Sequence, residues 1–99
     1  MVVKLATTAR VLGTVIAEMR ATGHRVCPVD PLRRVCLVAE EVGEAVKAAL
    51  DLTRRSTQPC EIAELRAQLR RELIHTASMT MVVLVAMTEE DEQQDLPTE

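Results

Sequence analysis

Two pairs of side chains, each spaced three positions apart, are the residues of this 99-residue chain that could bind a metal. Glu41 and Glu44 lie in the segment VAEEVGEAVKAAL, and Glu72 and His75 lie in LRRELIHTASM. Residues three apart share one face of a helix, so each pair can point at one place. Carboxylate oxygens suit magnesium or manganese. The pattern predicts a Mg²⁺ site formed by these four side chains, with Mn²⁺ as the other candidate ion.

Ordinary explanations for the same residues stay open at this point. Glutamates on an amphipathic helix more often face water than bind a metal, and a lone interior histidine such as His75 more often makes a hydrogen bond. Gly43 lies between the two glutamates, where glycine costs about 0.5–1 kcal/mol relative to alanine. A tight helix crossing or room for a ligand would explain it. Glu40 is interpreted as the outer acid, either dispensable or supporting.

Three helices must position these side chains, so the predicted fold class is all-α. We expect helices over residues 3–22, 31–53 and 60–88. Asp30 can cap the free N–H groups at the start of the second helix, and Pro31 is tolerated in a first turn. The first helix has an apolar stripe, which consists of Leu5, Leu12, Val15, Ile16 and Met19.

The second and third helices are expected to pack antiparallel, since their connection is short. From Glu44 to the end of the second helix is about 14 Å and from Pro59 to Glu72 about 20 Å, at 1.5 Å per residue. The two pairs therefore fall at similar heights and can face each other. The apolar residues of the second helix recur at three- and four-residue steps and predict one buried face; they are Leu32, Val35, Cys36, Ala39, Val42, Val46, Ala49 and Leu50.

The second half of the third helix, residues 73–87, is apolar nearly all round and needs cover on more than one side. Three helices can hardly supply that cover. We therefore expect the chain to complete a four-helix-type bundle by homo-oligomerisation, as a dimer or a dimer of dimers. Residues 1–88 form the predicted domain. Residues 89–99 are acidic and are predicted to be a disordered tail.

Composition excludes several classes of partner. The net charge of −3 argues against a nucleic-acid partner, because phosphate contacts need an excess of Lys and Arg. The apolar run 73–87 is shorter than the roughly 20 residues that cross a bilayer, so no membrane partner is expected. Three cysteines without metal-ligand spacing favour a reducing cytoplasm, with Cys36 and Cys60 interpreted as small buried residues. Phe, Tyr and Trp are absent.

The two acidic segments resemble the MazG-like, all-α nucleotide pyrophosphohydrolases. The signature of that family is E-x-x-E, a gap of about a dozen to under thirty residues, then E-x-x-D. Glu41 and Glu44 match the first half, and Glu72 and His75 follow after 27 intervening residues. The resemblance covers roughly residues 10–87. His75 stands where the family has aspartate, which replaces a charged oxygen ligand by a nitrogen that prefers softer ions.

The resemblance implies hydrolysis of a nucleoside triphosphate to a monophosphate and pyrophosphate, with Mg²⁺ as cofactor. It also implies that Glu41, Glu44 and Glu72 are the catalytic metal ligands, joined by His75, in an active unit that is a dimer or a dimer of dimers. The alternative is a catalytically degenerate helical oligomer that acts as an interaction or nucleotide-binding module. The missing aromatic residues remove the usual means of gripping a base.

Basic residues near the acidic segments are candidates for the phosphates. Lys47, three residues after Glu44, is the substrate-binding candidate, although an ion pair within the helix is the better explanation for this residue taken individually. Other candidates are Arg33, Arg34, Arg54, Arg55, Arg70 and Arg71.

Overall fold

The computed structural model describes residues 2–22, 27–55 and 58–94, and within these ranges it contains three α-helices and no strand. Helix α1 is Leu5–Thr22, α2 is Pro31–Arg55 and α3 is Pro59–Gln94. The all-α fold class is therefore confirmed. Each predicted helix exists, and α1 starts two residues later than expected while α2 ends two residues later.

The start of α2 has the predicted cap. The backbone N–H of Arg33 donates to Asp30 Oδ2 at 3.0 Å, and that of Arg34 donates to the Asp30 carbonyl at 3.1 Å. Pro31 occupies the first helical position, where its missing N–H leaves no hydrogen bond unmade. Local sequence therefore determines where α2 begins.

Helix α3 extends to Gln94, beyond its predicted end at residue 88, and so includes residues 89–94 of the predicted tail. Arg34 holds this end: Nη1 and Nη2 donate to the two carboxylate oxygens of Glu90 at 2.8 and 2.9 Å. Nε of Arg34 donates to the Pro28 carbonyl at 2.5 Å. Arg34 is buried. Its bidentate ion pair gives Glu90 a partner from α2, which cannot be identified from the sequence of the tail. Residues 95–99 of the predicted tail lie outside the described residues.

Helix α3 is the central element, and α1 and α2 both pack against it. Arg34 near the start of α2 pairs with Glu90 near the end of α3, whereas Glu41, later in α2, lies near Glu72. Helix α2 therefore runs antiparallel to α3, as predicted. Glu18 of α1 contacts His75, so both neighbours reach the middle of α3.

The face that α2 turns toward α3 is not the predicted apolar one. Its buried residues are Arg34, Ala45 and Ala48, with Glu41 partly buried on the same face. The small side chains of Ala45 and Ala48 allow the backbones to approach closely at this part of the contact. The predicted face instead contains an exposed apolar stripe, formed by Val35, Ala39, Val42, Val46 and Leu50, while Leu32 and Cys36 are also exposed.

The other helices also leave apolar surface uncovered. In the predicted stripe of α1 only Val15 is buried, while Leu5, Leu12 and Ile16 are exposed. Leu73 of α3 is exposed too, and so is Cys60, contrary to its predicted burial. The buried apolar residues among the described ones are Val15, Ala45 and Ala48. One copy of the chain therefore has a very small core.

The dimensions of the chain agree with a very small core. The Cα radius of gyration is 17.0 Å, against about 13 Å for a compact chain of this length. The accessible surface is 8070 Å², against about 5,600 Å² for a compact monomer of this mass. The 36 residues of α3 alone span about 54 Å. Within the described residues, no helix combines the length and apolarity needed to span a membrane.

Candidate metal centre

Glu41, Glu72 and His75 converge where α2 crosses the middle of α3, and we call them the three-residue cluster. One ligand atom from each lies within 4.8 Å of the others. Glu41 shares the inward face of α2 with Ala45 and Ala48, four and seven residues later. Because these alanines let α2 approach α3 closely, the carboxylate of Glu41 reaches the pair on α3.

Glu72 is the most buried member of the cluster, at 7% exposure. Its Oε1 accepts a hydrogen bond from Gln68 Nε2 at 2.9 Å. Its Oε2 is buried with no hydrogen-bond partner, and so is Oε2 of Glu41. A buried carboxylate oxygen without a partner is costly, so these two atoms leave a need for positive charge at this point.

His75 lies between two carboxylates. Its Nδ1 is 3.6 Å from Glu72 Oε2, and its Nε2 is 3.3 Å from Glu18 Oε1. Glu18 belongs to α1 and to neither acidic pair, and it was not among the predicted site residues. The available signal was its spacing from Val15, since residues three apart share a face and Val15 is buried.

Glu44, the fourth predicted ligand, lies at the exposed edge of the cluster and outside the 4.8 Å group. The neighbouring Glu72 raises the pKa of Glu44, because a protonated Glu44 can donate a hydrogen bond to the Glu72 carboxylate. The negative charges of Glu72 and Glu41 raise it further. Glu44 is therefore coupled to the cluster through charge and proton sharing.

The donor set fits a divalent cation. Opposite ligands of an octahedral ion at about 2.1 Å are roughly 4.2 Å apart, so the cluster is close to ligand spacing. Two carboxylates and an imidazole suit Mn²⁺ as well as Mg²⁺, since nitrogen ligands favour the transition metal. The two buried oxygens without hydrogen-bond partners are the atoms that such an ion would satisfy.

The basic residues predicted to contact phosphate lie in different parts of the structure. Arg70 and Arg71 line a cavity of about 420 Å³ between α1 and α3, together with Glu18 and His75. Arg34 is occupied by Glu90 and lies away from the cluster. Lys47 is exposed, about 120° around α2 from Glu41 at 3.6 residues per turn. The cavity next to His75 therefore favours the arginines of α3 over Lys47 as phosphate contacts.

Gly43 does not mark a tight crossing within this chain. A Cβ placed on it would meet nothing within 4 Å, so the tight-crossing explanation is wrong for the described residues. Open space beside Glu41 and Glu44 remains the explanation that fits.

Comparisons with family models, curated proteins and solved structures find no match to this chain. The MazG-like resemblance therefore remains a prediction from the motif residues, now accompanied by the geometry described above.

Proposed function

We propose that this chain is the subunit of a homo-oligomeric, divalent-metal-dependent nucleotide pyrophosphohydrolase, which converts a nucleoside triphosphate to a monophosphate and pyrophosphate. The observation that carries the proposal is the pair of buried Oε2 atoms of Glu41 and Glu72, which lack hydrogen-bond partners and converge with His75. Buried carboxylate oxygens without a partner are costly, so a divalent cation bound among them would stabilise the fold.

Glu41, Glu72 and His75 are the proposed ligands. When bound, a Mg²⁺ or Mn²⁺ ion would supply positive charge for the phosphates and lower the pKa of a water that attacks them. Gln68 holds Oε1 of Glu72 and so leaves Oε2 free to face the cluster. The cavity wall contributed by Arg70 and Arg71 would bind phosphate oxygens beside His75.

Glu44 is the proposed general base. It is exposed, so water reaches it, and it lies beside the Glu41 and Glu72 carboxylates that would hold the ion. The open space at Gly43 gives a nucleotide room beside this carboxylate. Without aromatic residues in the chain, base recognition would depend on hydrogen bonds and aliphatic contacts.

The exposed apolar surface supports the oligomer part of the proposal. One copy exposes about 2,500 Å² more than a compact monomer of its mass. A standard interface buries about 800 Å² per partner, so more than one face of the chain is available for contact with other copies. The apolar stripe of α2 faces away from α3 and is the first such face.

Pyrophosphate release from a panel of nucleoside triphosphates tests the enzyme proposal. With Mg²⁺ or Mn²⁺ we expect turnover by the unmodified protein and a loss of at least about 100-fold in Glu41→Gln, since a ligand that contacts the buried cluster is removed. Glu40→Gln is the matched control, because Glu40 is the exposed neighbour of Glu41 and should retain activity. Absence of turnover with every nucleotide would contradict the proposal.

The catalytically degenerate oligomer is the second candidate. His75 in place of an acid and the long exposed stripe of α2 favour it. It predicts self-association with no pyrophosphate release under any metal. Association together with turnover that Glu41→Gln abolishes would exclude this candidate.

A further inference from the structure

Glu18 of α1 reaches the cluster through a contact with His75. Its Oε1 lies 3.3 Å from Nε2 of His75, which is an ion-pair contact. The opposite ring nitrogen, Nδ1, faces Glu72 Oε2 at 3.6 Å. The imidazole is therefore held between a carboxylate outside the cluster and a carboxylate inside it.

We propose that Glu18 is a positioning residue for the metal site, which accepts the Nε2–H of His75 and thereby directs the Nδ1 lone pair toward Glu41 and Glu72. This inference rests on the proposed metal-dependent function. A neutral imidazole carries one N–H, and the nitrogen that keeps it cannot bind a cation. Glu18 selects Nε2 for the proton and leaves Nδ1 as the ligand atom.

The packing of α1 supports this role. Val15, one turn earlier on the same face, is buried against α3 and fixes the position of Glu18 along the helix. The side chains of Glu18 and His75 are 28% and 34% exposed, so neither extends freely into solvent. Both line the cavity between α1 and α3.

The consequence is a link between the docking of α1 and the choice of cation. An ordered Nδ1 is a nitrogen ligand, which favours Mn²⁺ over Mg²⁺. Without Glu18 the ring can rotate or adopt the other tautomer, and the site then depends on its carboxylates alone. The loss should therefore be larger for Mn²⁺ than for Mg²⁺.

Mn²⁺ binding, measured by calorimetry and by electron paramagnetic resonance of the full chain, tests the proposal. Removing an outer partner of a metal-binding histidine typically costs 10–100-fold in affinity. We expect a loss of that size in Glu18→Ala and a smaller one in Glu18→Gln, which keeps an oxygen acceptor. Glu40→Ala is the matched control for loss of one carboxylate and should bind like the unmodified protein.

A double-mutant comparison separates positioning from structure. If Glu18 acts through His75, Glu18→Ala should cause no further loss of Mn²⁺ affinity in a His75→Ala background. The ¹⁵N NMR signals of His75 should show an Nε2–H tautomer in the unmodified protein and a changed tautomer mixture in Glu18→Ala. Circular dichroism checks that each variant is folded. If Glu18→Ala does not fold, the same comparison is made with Glu18→Gln.

The outcomes distinguish this inference from the proposed function. If the unmodified protein binds neither Mn²⁺ nor Mg²⁺, the metal-dependent function itself fails. If it binds Mn²⁺, and Glu18→Ala and Glu18→Gln both bind within twofold of it, the role of Glu18 is overturned while the proposed function stands. The role of Glu18 would also be overturned if Glu18→Ala lowered Mn²⁺ affinity equally in the unmodified protein and in the His75→Ala background.

Discussion

Glu72 has two carboxylate oxygens in different surroundings, and this difference is the central residue-scale feature of the site. Oε1 has a donor in Gln68, whereas Oε2 is buried near Glu41 and His75 with no hydrogen-bond partner. Because charge without compensation is costly in a buried place, the folded chain without a cation should be less stable than its helices alone would suggest.

The raised pKa of Glu44 gives a prediction for the metal-free protein. The folded state keeps a proton on Glu44 above the usual pKa of 4.5, while the unfolded state has lost it. Stability should therefore fall as the pH rises from 4.5 through the raised pKa, since folding binds a proton in that window. Urea unfolding at several pH values should show this slope, and Glu44→Gln should reduce it.

Glu40→Gln provides the comparison, because Glu40 is exposed and outside the cluster. An identical slope in Glu44→Gln and the unmodified protein would contradict the proton sharing between Glu44 and Glu72.

Two open glycines allow a test of the space beside the cluster. A Cβ at Gly13 or at Gly43 would meet nothing within 4 Å. Alanine at either position should raise the free energy of unfolding by about 0.5–1 kcal/mol, as expected for an exposed helical site. Only Gly43→Ala should also lower pyrophosphate release, because only Gly43 lies beside Glu41 and Glu44. Equal activity of the two variants would mean that the nucleotide does not use this space.

At the scale of the elements, α3 is the scaffold to which the other helices attach. Helix α2 contributes Glu41 through a face of small residues, and α1 contributes Glu18 through the face that contains Val15. The ion pair of Arg34 and Glu90 fixes the start of α2 to the end of α3, 56 residues apart in sequence. The register of α2 on α3, and with it the position of Glu41, is set partly at this distant end.

The pH dependence of the Arg34–Glu90 pair follows from its charges. The hydrogen bonds from Arg34 lower the pKa of Glu90 below its usual value of 4.5. The pair therefore stabilises the fold above pH 4.5, and this contribution is lost as the pH falls through the lowered pKa. Glu90→Gln should have a lower urea midpoint than the unmodified protein at pH 7, and the gap should close below the lowered pKa.

Glu89→Gln is the control, since Glu89 is the exposed neighbour of Glu90. A gap that persists at low pH would show that Glu90 acts by packing and not by its charge.

At the scale of the whole molecule, one copy is extended and exposes much of its apolar surface. The radius of gyration of 17.0 Å and the surface of 8070 Å² both exceed the values for a compact monomer. The apolar stripe of α2 contains Val35, Val46 and Leu50, which are 64%, 53% and 41% exposed. Burial of such a stripe against a second copy would supply the missing core.

Val46→Glu should weaken self-association at least about tenfold, because it places a charge in the middle of the stripe. Sedimentation at micromolar concentration measures the effect. Val29→Glu is matched in chemistry but lies before α2 and outside the stripe, so it should associate like the unmodified protein. A monomeric unmodified protein, or equal association of the two variants, would exclude α2 as the interface.

The sequence by itself determined the features that depend on neighbouring residues. Asp30 and Pro31 specify the start of α2, and helical periodicity identifies all three helices because it reflects only 3.6 residues per turn. The three-residue spacing within each acidic pair and the antiparallel return of α3 predicted that the two pairs lie at similar heights, and Glu41, Glu72 and His75 do lie together.

Tertiary structure alone decided which faces meet. The valines of α2 were expected to be buried, yet Glu41, Ala45 and Ala48 face α3. The small alanine side chains permit close packing there. Among the described residues, no other helix covers the apolar stripe of α2. Tertiary structure also decided that Glu18 contacts His75 and that Glu90 belongs to a helix held by Arg34. Both contacts join residues more than 50 positions apart, and only the packing of α1 and α2 on α3 brings them together.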